Sequence, residues 1–205
     1  MHDEFDQAFW EEQYRAHEGG EHAELNPVLV AETADLEPGI ALDAGCGEGA
    51  TAIWLASRGW RVTAVDIAST ALGRARDRAE LAGAEVKSRI EWVHADLTTW
   101  QPKRDHFDLV SALYVHTAEA QEKQVGRLSS AVAPGGTLLI VGHGPSDPNH
   151  ASPPRAIFTA EELASTLDPG VWDVAVAETR ARSAIGYGGD EISLRDAVLR
   201  ARKRA

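Results

Sequence analysis

Asp43, Gly45, Gly47 and Gly49 are the residues whose types and spacing point most directly to chemistry. They stand in the run Ala41-Leu42-Asp43-Ala44-Gly45-Cys46-Gly47-Glu48-Gly49, after a short apolar stretch. Behind it, Ile53, Leu55 and Ala56 form one face of a helix closed by Gly59. The order is strand, glycine turn, helix. Glycines at alternate positions let the backbone bend sharply and touch a bound molecule that a Cβ would hold away. A pyrophosphate-binding turn needs glycines at relative positions one, three and six and an uncluttered helix N-terminus. Here they fall at one, three and five, with a carboxylate just ahead that repels phosphate and attracts a cation. The ligand expected is a positively charged small molecule.

A second acid, Asp66, closes the apolar run Arg61-Val62-Thr63-Ala64-Val65, about 20 residues past the first glycine. In a doubly wound sheet that strand tip stands beside the first, and an acid there accepts hydrogen bonds from both hydroxyls of a ribose. The spacing serves nicotinamide and sulfonium nucleosides alike. His116 and His143 fall just past the ends of two later apolar runs, on the sheet edge where open α/β folds bind ligands. An imidazole exchanges a proton near neutral pH, so both are candidate general bases. His143, Asp147 and His150 match no compact ligand pattern, and no metal is expected.

The elements that must position these residues follow from periodicity and punctuation. Phe5, Ala8, Phe9, Glu12 and Gln13 share one face of a first helix, with Trp10 and Tyr14 on a neighbouring face. Polar residues from Arg15 to His22 suit a loop, and Asn26-Pro27 opens a second helix through Val28, Leu29, Ala31 and Glu32. Strands are expected at Ile40–Ala44, Arg61–Val65, Ile90–His94, from Phe107 into a loop ending at His116, and at Thr137–Val141. Ser69 is expected to cap a helix that turns Ala71, Leu72, Ala75 and Ala79 inward, shows Arg74, Arg76, Asp77 and Arg78 to water, and stops at Gly83. A helix through Val125 and Leu128 ends at Pro134-Gly135-Gly136. The glycine- and proline-rich stretch Gly142–His150 reads as a substrate loop. Thr159-Ala160-Glu161-Glu162 is a capping box, and Val171–Ala177 alternates as a strand. Glu191–Arg200 fits a strand or a helix on its own residues.

Composition narrows the classes. A length of 205 residues with 43% hydrophobic content suits one domain, residues 1–205, with a full core. A net charge of −12 opposes polyphosphate backbones, so nucleic acid is an unlikely partner. Arg200, Arg202, Lys203 and Arg204 read as a solvated end. No apolar run approaches the roughly 20 residues that span a bilayer, and no signal-peptide layout opens the chain, so a cytoplasmic place is expected. Cys46, the single cysteine, excludes an internal disulfide and reads as a small turn residue. The sequence sets no oligomeric state.

The pattern Asp43-x-Gly45-x-Gly47-x-Gly49 resembles the first motif of class I S-adenosylmethionine (SAM)-dependent methyltransferases. The resemblance runs from about Ile40 to Val141 and includes the Pro-Gly-Gly turn before the fifth strand. It implies a doubly wound, seven-stranded, mostly parallel sheet with an antiparallel last strand, which decides for a strand at Glu191–Arg200. It further implies SAM as cofactor, yielding S-adenosylhomocysteine, and residues 1–35 as a helical cap over the site. By the same resemblance Tyr14 meets the methionine carboxylate, Asp96 the adenine amino group and Leu97 the adenine ring. Ile67 and Leu113 join Asp43, Gly45, Gly47, Gly49 and Asp66 as cofactor-binding positions. The whole chain also resembles, more loosely, small bacterial methyltransferases of the tellurite-resistance and thiopurine type. The activity implied is methyl transfer to an O, N or S nucleophile of a small molecule, with His143 or His116 as base. The rivals are an NAD-dependent oxidoreductase, disfavoured by Asp43 and the glycine spacing, and a non-catalytic SAM-binding module.

Overall fold

The computed structural model describes residues 5–16, 25–144, 158–185 and 191–205. In chain order its elements are α1 (Gln7–Ala16), α2 (Pro27–Thr33), β1 (Ile40–Ala44), α3 (Ala50–Ser57), β2 (Arg61–Asp66), α4 (Ser69–Ala82) and α5 (Ala84–Ser88). Then follow β3 (Ile90–His94), β4 (Phe107–Leu113), α6 (Gln121–Ala131), β5 (Val132–His143), α7 (Ala160–Ser165), β6 (Trp172–Ile185) and β7 (Glu191–Lys203).

The strands form one seven-stranded sheet in the order β3-β2-β1-β4-β5-β7-β6. Strands β1 to β5 run parallel, and β7 joins antiparallel to both β5 and β6. Parallel strands are covered on both faces, and alternate residues of β1 serve opposite layers. Leu42 and Ala44 pack with Val125 and Leu128 of α6 and Leu163 of α7, while Ala41 packs with Leu29 of α2 and Leu55 and Ala56 of α3. The chain reverses direction across the sheet between β1 and β4. Ligands of open α/β sheets bind at such a switch point, beyond the carboxyl ends of the strands.

Most expected elements stand where periodicity put them. Asn26 caps α2 through the Val28 amide at 2.8 Å, with Pro27 in the first turn. Thr159 and Glu162 form the capping box of α7. The run Glu191–Arg200 is strand, as the last element of the sheet. Four readings change. β5 begins at Val132 rather than Thr137, because Gly135 (φ 81°) lets the Pro-Gly-Gly turn bulge between the pairs Phe107–Val132 and Leu109–Thr137. The short helix α5 lies between α4 and β3, unmarked by any apolar period. Ser69 is the first residue of α4, whose cap position is Ala68. Finally, the basic end of β7 is paired: Arg200 with Glu32 and Asp35, Lys203 with Asp105, and Arg204 with Asp173.

At the carboxyl end of β5, a Cβ on Gly142 would stand 2.2 Å from Cζ of Phe158, a buried ring that is fixed in the core. Gly142→Ala should therefore lower the free energy of unfolding by about 1–3 kcal/mol, the usual cost of overpacking. Urea unfolding measures it, and an unchanged midpoint would mean that the ring gives way freely.

Candidate functional site

The glycine turn is stitched to the tip of β2. Gly45 and Cys46 both donate their amides to the Val65 carbonyl, at 2.8 and 3.0 Å, and Gly47 donates to Oδ2 of Asp66 at 2.8 Å. Gly45 (φ 69°) and Gly47 (φ 51°) adopt left-handed backbone, which strains any residue with a side chain. Space forbids one too. A Cβ on Gly45 would lie 2.5 Å from Cγ2 of Val115, and on Gly47 2.7 Å from the Tyr14 hydroxyl. The chain's own side chains thus come as close to the turn as a ligand would.

The two acids differ from their sequence readings in what they touch. Asp43 is only 2% exposed and faces the interior instead of opening onto the turn. Its Oδ1 accepts from the Ser111 hydroxyl at 3.2 Å, and Oδ2 has no hydrogen-bond partner among the described residues. Burial pushes its carboxyl up to about 7, and Ser111 and the Ala52 amide offset only part of that. Asp66 is also buried. Besides Gly47 it accepts the Ala68 amide on Oδ1 at 2.8 Å, so both oxygens already hold backbone. Burial raises its pKa and the amides of Ala68, Gly47 and Ile67 pull it back.

The helix α1 lies over this edge. Within the helix the buried side chains are Glu11 and Tyr14; of the face grouped by periodicity, Ala8 and Glu12 are exposed and Phe9 and Gln13 half-buried, while Phe5, just ahead of the helix, is buried. Tyr14 is packed onto Ala68 and Ala71, with burial and the nearby Asp66 raising its pKa. Glu11 accepts from the Ser69 amide and hydroxyl, both at 2.6 Å, and from the Thr70 hydroxyl at 2.5 Å. Burial works against its charge, but these donors overcome it and hold the carboxyl down to about 2, from 4.5.

The two candidate bases meet. The His116 and His143 rings stack with centroids 5.7 Å apart and planes 18° from parallel, and Trp10 lies over His116 at 6.3 Å and 15°. Tyr114 packs against His143 at 4.7 Å and takes the Asn26 amide on its hydroxyl at 3.0 Å. It does so in left-handed backbone (φ 53°), a conformation that costs of order 1–3 kcal/mol and collects at working sites. Its own amide is anchored on the Val141 carbonyl at 2.8 Å.

The remaining positions are scattered along the same edge. Asp96 acts as a turn cap, its Oδ1 accepting the Thr98 amide and hydroxyl at 2.8 Å each. Leu97 is buried in the core, and its carbonyl accepts from Arg127 at 2.6 Å. Ile67 is half-buried and its carbonyl faces Nε2 of His94 at 2.9 Å; half-buried Leu113 ends β4. Asp147 and His150 lie outside the described residues. Among the described residues no group of acids, histidines or cysteine is disposed to hold a metal.

Sequence reasoning missed Glu11, Val115 and Glu48. The Glu48 carboxylate sits within the turn, buried, and binds Arg74 at 2.8 Å and Arg78 at 3.7 Å, so those two arginines do not simply face water. Their spacing of four on α4 was the available signal.

A Cβ-intolerant cradle at the switch point and a buried carboxyl oxygen without a partner both suit a cationic nucleoside held at the turn. The fold and the glycine turn are similar to those of class I, SAM-dependent methyltransferases. Residues 41–136 match the family described as "Methyltransferase domain". An uncharacterised methyltransferase of Mycobacterium tuberculosis is 42% identical over 101 residues, 49% of this chain and 48% of its own. The chain spans about half the length of the curated relatives it matches first. Two solved folds are similar throughout. The 1,6-didemethyltoxoflavin-N1-methyltransferase of Burkholderia thailandensis, with S-adenosylhomocysteine bound, has a TM-score of 0.71 at 22% identity over 97% of this chain and 87% of that one. The N-methyltransferase NodS of Bradyrhizobium japonicum, also with S-adenosylhomocysteine, has a TM-score of 0.70 at 18% identity over 98% and 100%. The oxidoreductase alternative is not favoured.

Asp43 carries a pH signature. An acid whose folded pKa is raised stabilises fully below its unfolded value near 3.8 and loses that contribution as pH climbs through about 7. Asp43→Asn should therefore melt higher than the wild type at pH 8 with no ligand, the gap narrowing toward pH 5. Melts of equal gap at both values would show that Asp43 ionises without penalty.

Proposed function

We propose that this chain transfers the methyl group of SAM to a small-molecule acceptor in the cytoplasm. Residues 1–205 then act as one domain with residues 1–35 as its cap. The observation that carries the reading is the glycine turn at the switch point, fastened to Asp66 by the Gly47 amide at 2.8 Å. When bound, the cofactor supplies an electrophilic methyl on a sulfonium, and departure of the sulfur takes up the bonding pair.

The chain's part is placement. Gly45, Gly47 and Gly49 would let the backbone approach the ligand, and Asp66, sharing its remaining lone pairs, would meet the ribose. Asp43 would favour the cofactor's positive charge through the turn, since a cation nearby eases ionisation of a buried acid. Tyr14 would border the methionine end. Ile67, Asp96, Leu97 and Leu113 would border the nucleoside. Orientation of two reactants is worth about 7–11 kcal/mol of barrier, so holding the acceptor in line is most of the work. His143 or His116 would take the proton of a hydroxyl acceptor.

The ring cluster supports a flat, unsaturated acceptor. Trp10, His116 and His143 lie nearly parallel, and offset stacking on such faces selects planar molecules.

Calorimetry tests this directly. S-adenosylhomocysteine should bind and NADH should not, and Asp66→Ala should weaken the former about tenfold or more, the scale of one lost charge-assisted hydrogen bond. Loss of His143 should slow methylation of a phenolic acceptor about 10²–10⁴-fold, as removal of a general base does, while an amine acceptor is spared above its pKa. Tight NADH binding without S-adenosylhomocysteine binding would overturn the assignment. Binding without turnover across phenols, thiols, amines and metalloid oxyanions would favour a SAM-binding module.

A further inference from the structure

α4 opens without a cap of its own. Its cap residue is Ala68, which offers no side-chain acceptor, so the first-turn amides need partners from elsewhere. Two acids from other elements supply them. Asp66, at the tip of β2, accepts the Ala68 amide at 2.8 Å, and Glu11, on α1, accepts the Ser69 amide at 2.6 Å and the Thr70 amide at 3.4 Å. The Ser69 and Thr70 hydroxyls add two further donors to Glu11 at 2.6 and 2.5 Å. A carboxylate at a helix N-terminus is favoured by the helix dipole as well as by these bonds.

The geometry points to Glu11 as a positioning residue for the cofactor site: its carboxylate caps α4 in trans and thereby seats Tyr14 against Gly47 and Trp10 against His116. The contacts close a circuit around the turn. Glu11 and Asp66 hold the same helix end; Asp66 holds Gly47; the Tyr14 hydroxyl lies 2.7 Å from where a Gly47 Cβ would be; and Tyr14 stands one helical turn from Glu11. With only ten residues, α1 is too short to persist without tertiary anchoring. Glu11 is its buried polar anchor, at 6% exposure, whereas the Gln7–His94 contact beside it is long, at 3.4 Å, and exposed. Whatever occupies the turn beneath Tyr14 is retained only while α1 stays seated. Glu11 thus controls how quickly the cofactor leaves, without touching it.

This inference rests on the methyltransferase reading only for the identity of the ligand. The experiment uses the full chain and S-adenosylhomocysteine, with release followed by stopped-flow tryptophan fluorescence. E11A should speed release about tenfold or more, the effect of losing charge-assisted hydrogen bonds. Its melting midpoint should fall by only a few degrees, because the sheet core is untouched. E11Q keeps an oxygen acceptor and should recover part of the loss. If E11A does not fold, the double variant S69A/T70V removes the two hydroxyl donors and should speed release in the same direction. Release within about twofold of wild type in folded E11A, or in the double variant, overturns the proposal. Should wild type bind no S-adenosylhomocysteine, the functional reading fails separately. Amide hydrogen exchange over residues 7–16, without ligand, then decides the seat: faster exchange in E11A sustains it and unchanged exchange refutes it.

Discussion

The carboxylate of Asp66 is the constraint on which the rest of the site depends. It sits buried at the tip of β2 and accepts from Gly47 on one oxygen and Ala68 on the other. One side chain therefore joins the turn after β1 to the start of α4. A buried carboxylate is costly unless its lone pairs are met, and the effective penalty reaches several kcal/mol per ion. Here backbone amides meet it, so the turn and the helix are held in register with the strand by the need to solvate a single charge.

The acidic character of the chain reappears inside it as a set of differently solved problems. Glu32 is met by Arg180 and Arg200 from the last two strands, which fixes α2 on the sheet. Glu48 is met by Arg74 and Arg78, fastening the turn to α4 a second time. Glu11 is met by the end of a helix, and Asp66 by amides. Asp43 has only Ser111 and a weak contribution from Ala52, and burial leaves it poised near neutrality. Glu11, Glu32, Glu48 and Asp66 thus work as fasteners, while Asp43 stands behind the glycine turn with an unmet oxygen. That contrast marks Asp43 as the acid that gains most from a cation in the cradle.

The edge of the sheet is shaped by side chains that arrive from distant segments. Trp10 comes from the first helix, Tyr114 and His116 from the end of β4, and His143 from the end of β5. Asn26 reaches the same place after capping α2, donating its side-chain amide to Tyr114 while its oxygen accepts from Val28. Such double use of one residue ties the cap segment to the ring cluster. It makes the ring cluster a product of packing between the N-terminal helices and the two central strands.

While the strand at Glu191–Arg200 was read only through the family resemblance, local signals alone determined the parallel strands, the glycine turn, and Asn26 and Thr159 as caps. Each depends on a few neighbouring residues: an apolar period, a dihedral that only glycine adopts freely, or a side chain that bonds its own backbone. The class of the domain was legible for the same reason, since the turn motif is continuous in sequence. Only the tertiary structure decided which way Asp43 faces, which face of α1 is buried, and that the partner of the Ser69 amide is Glu11, more than fifty residues earlier. Hydrogen bonds and ion pairs between distant elements leave no period to read. A glutamate in a polar helix looks solvated until the fold brings it an uncapped helix end.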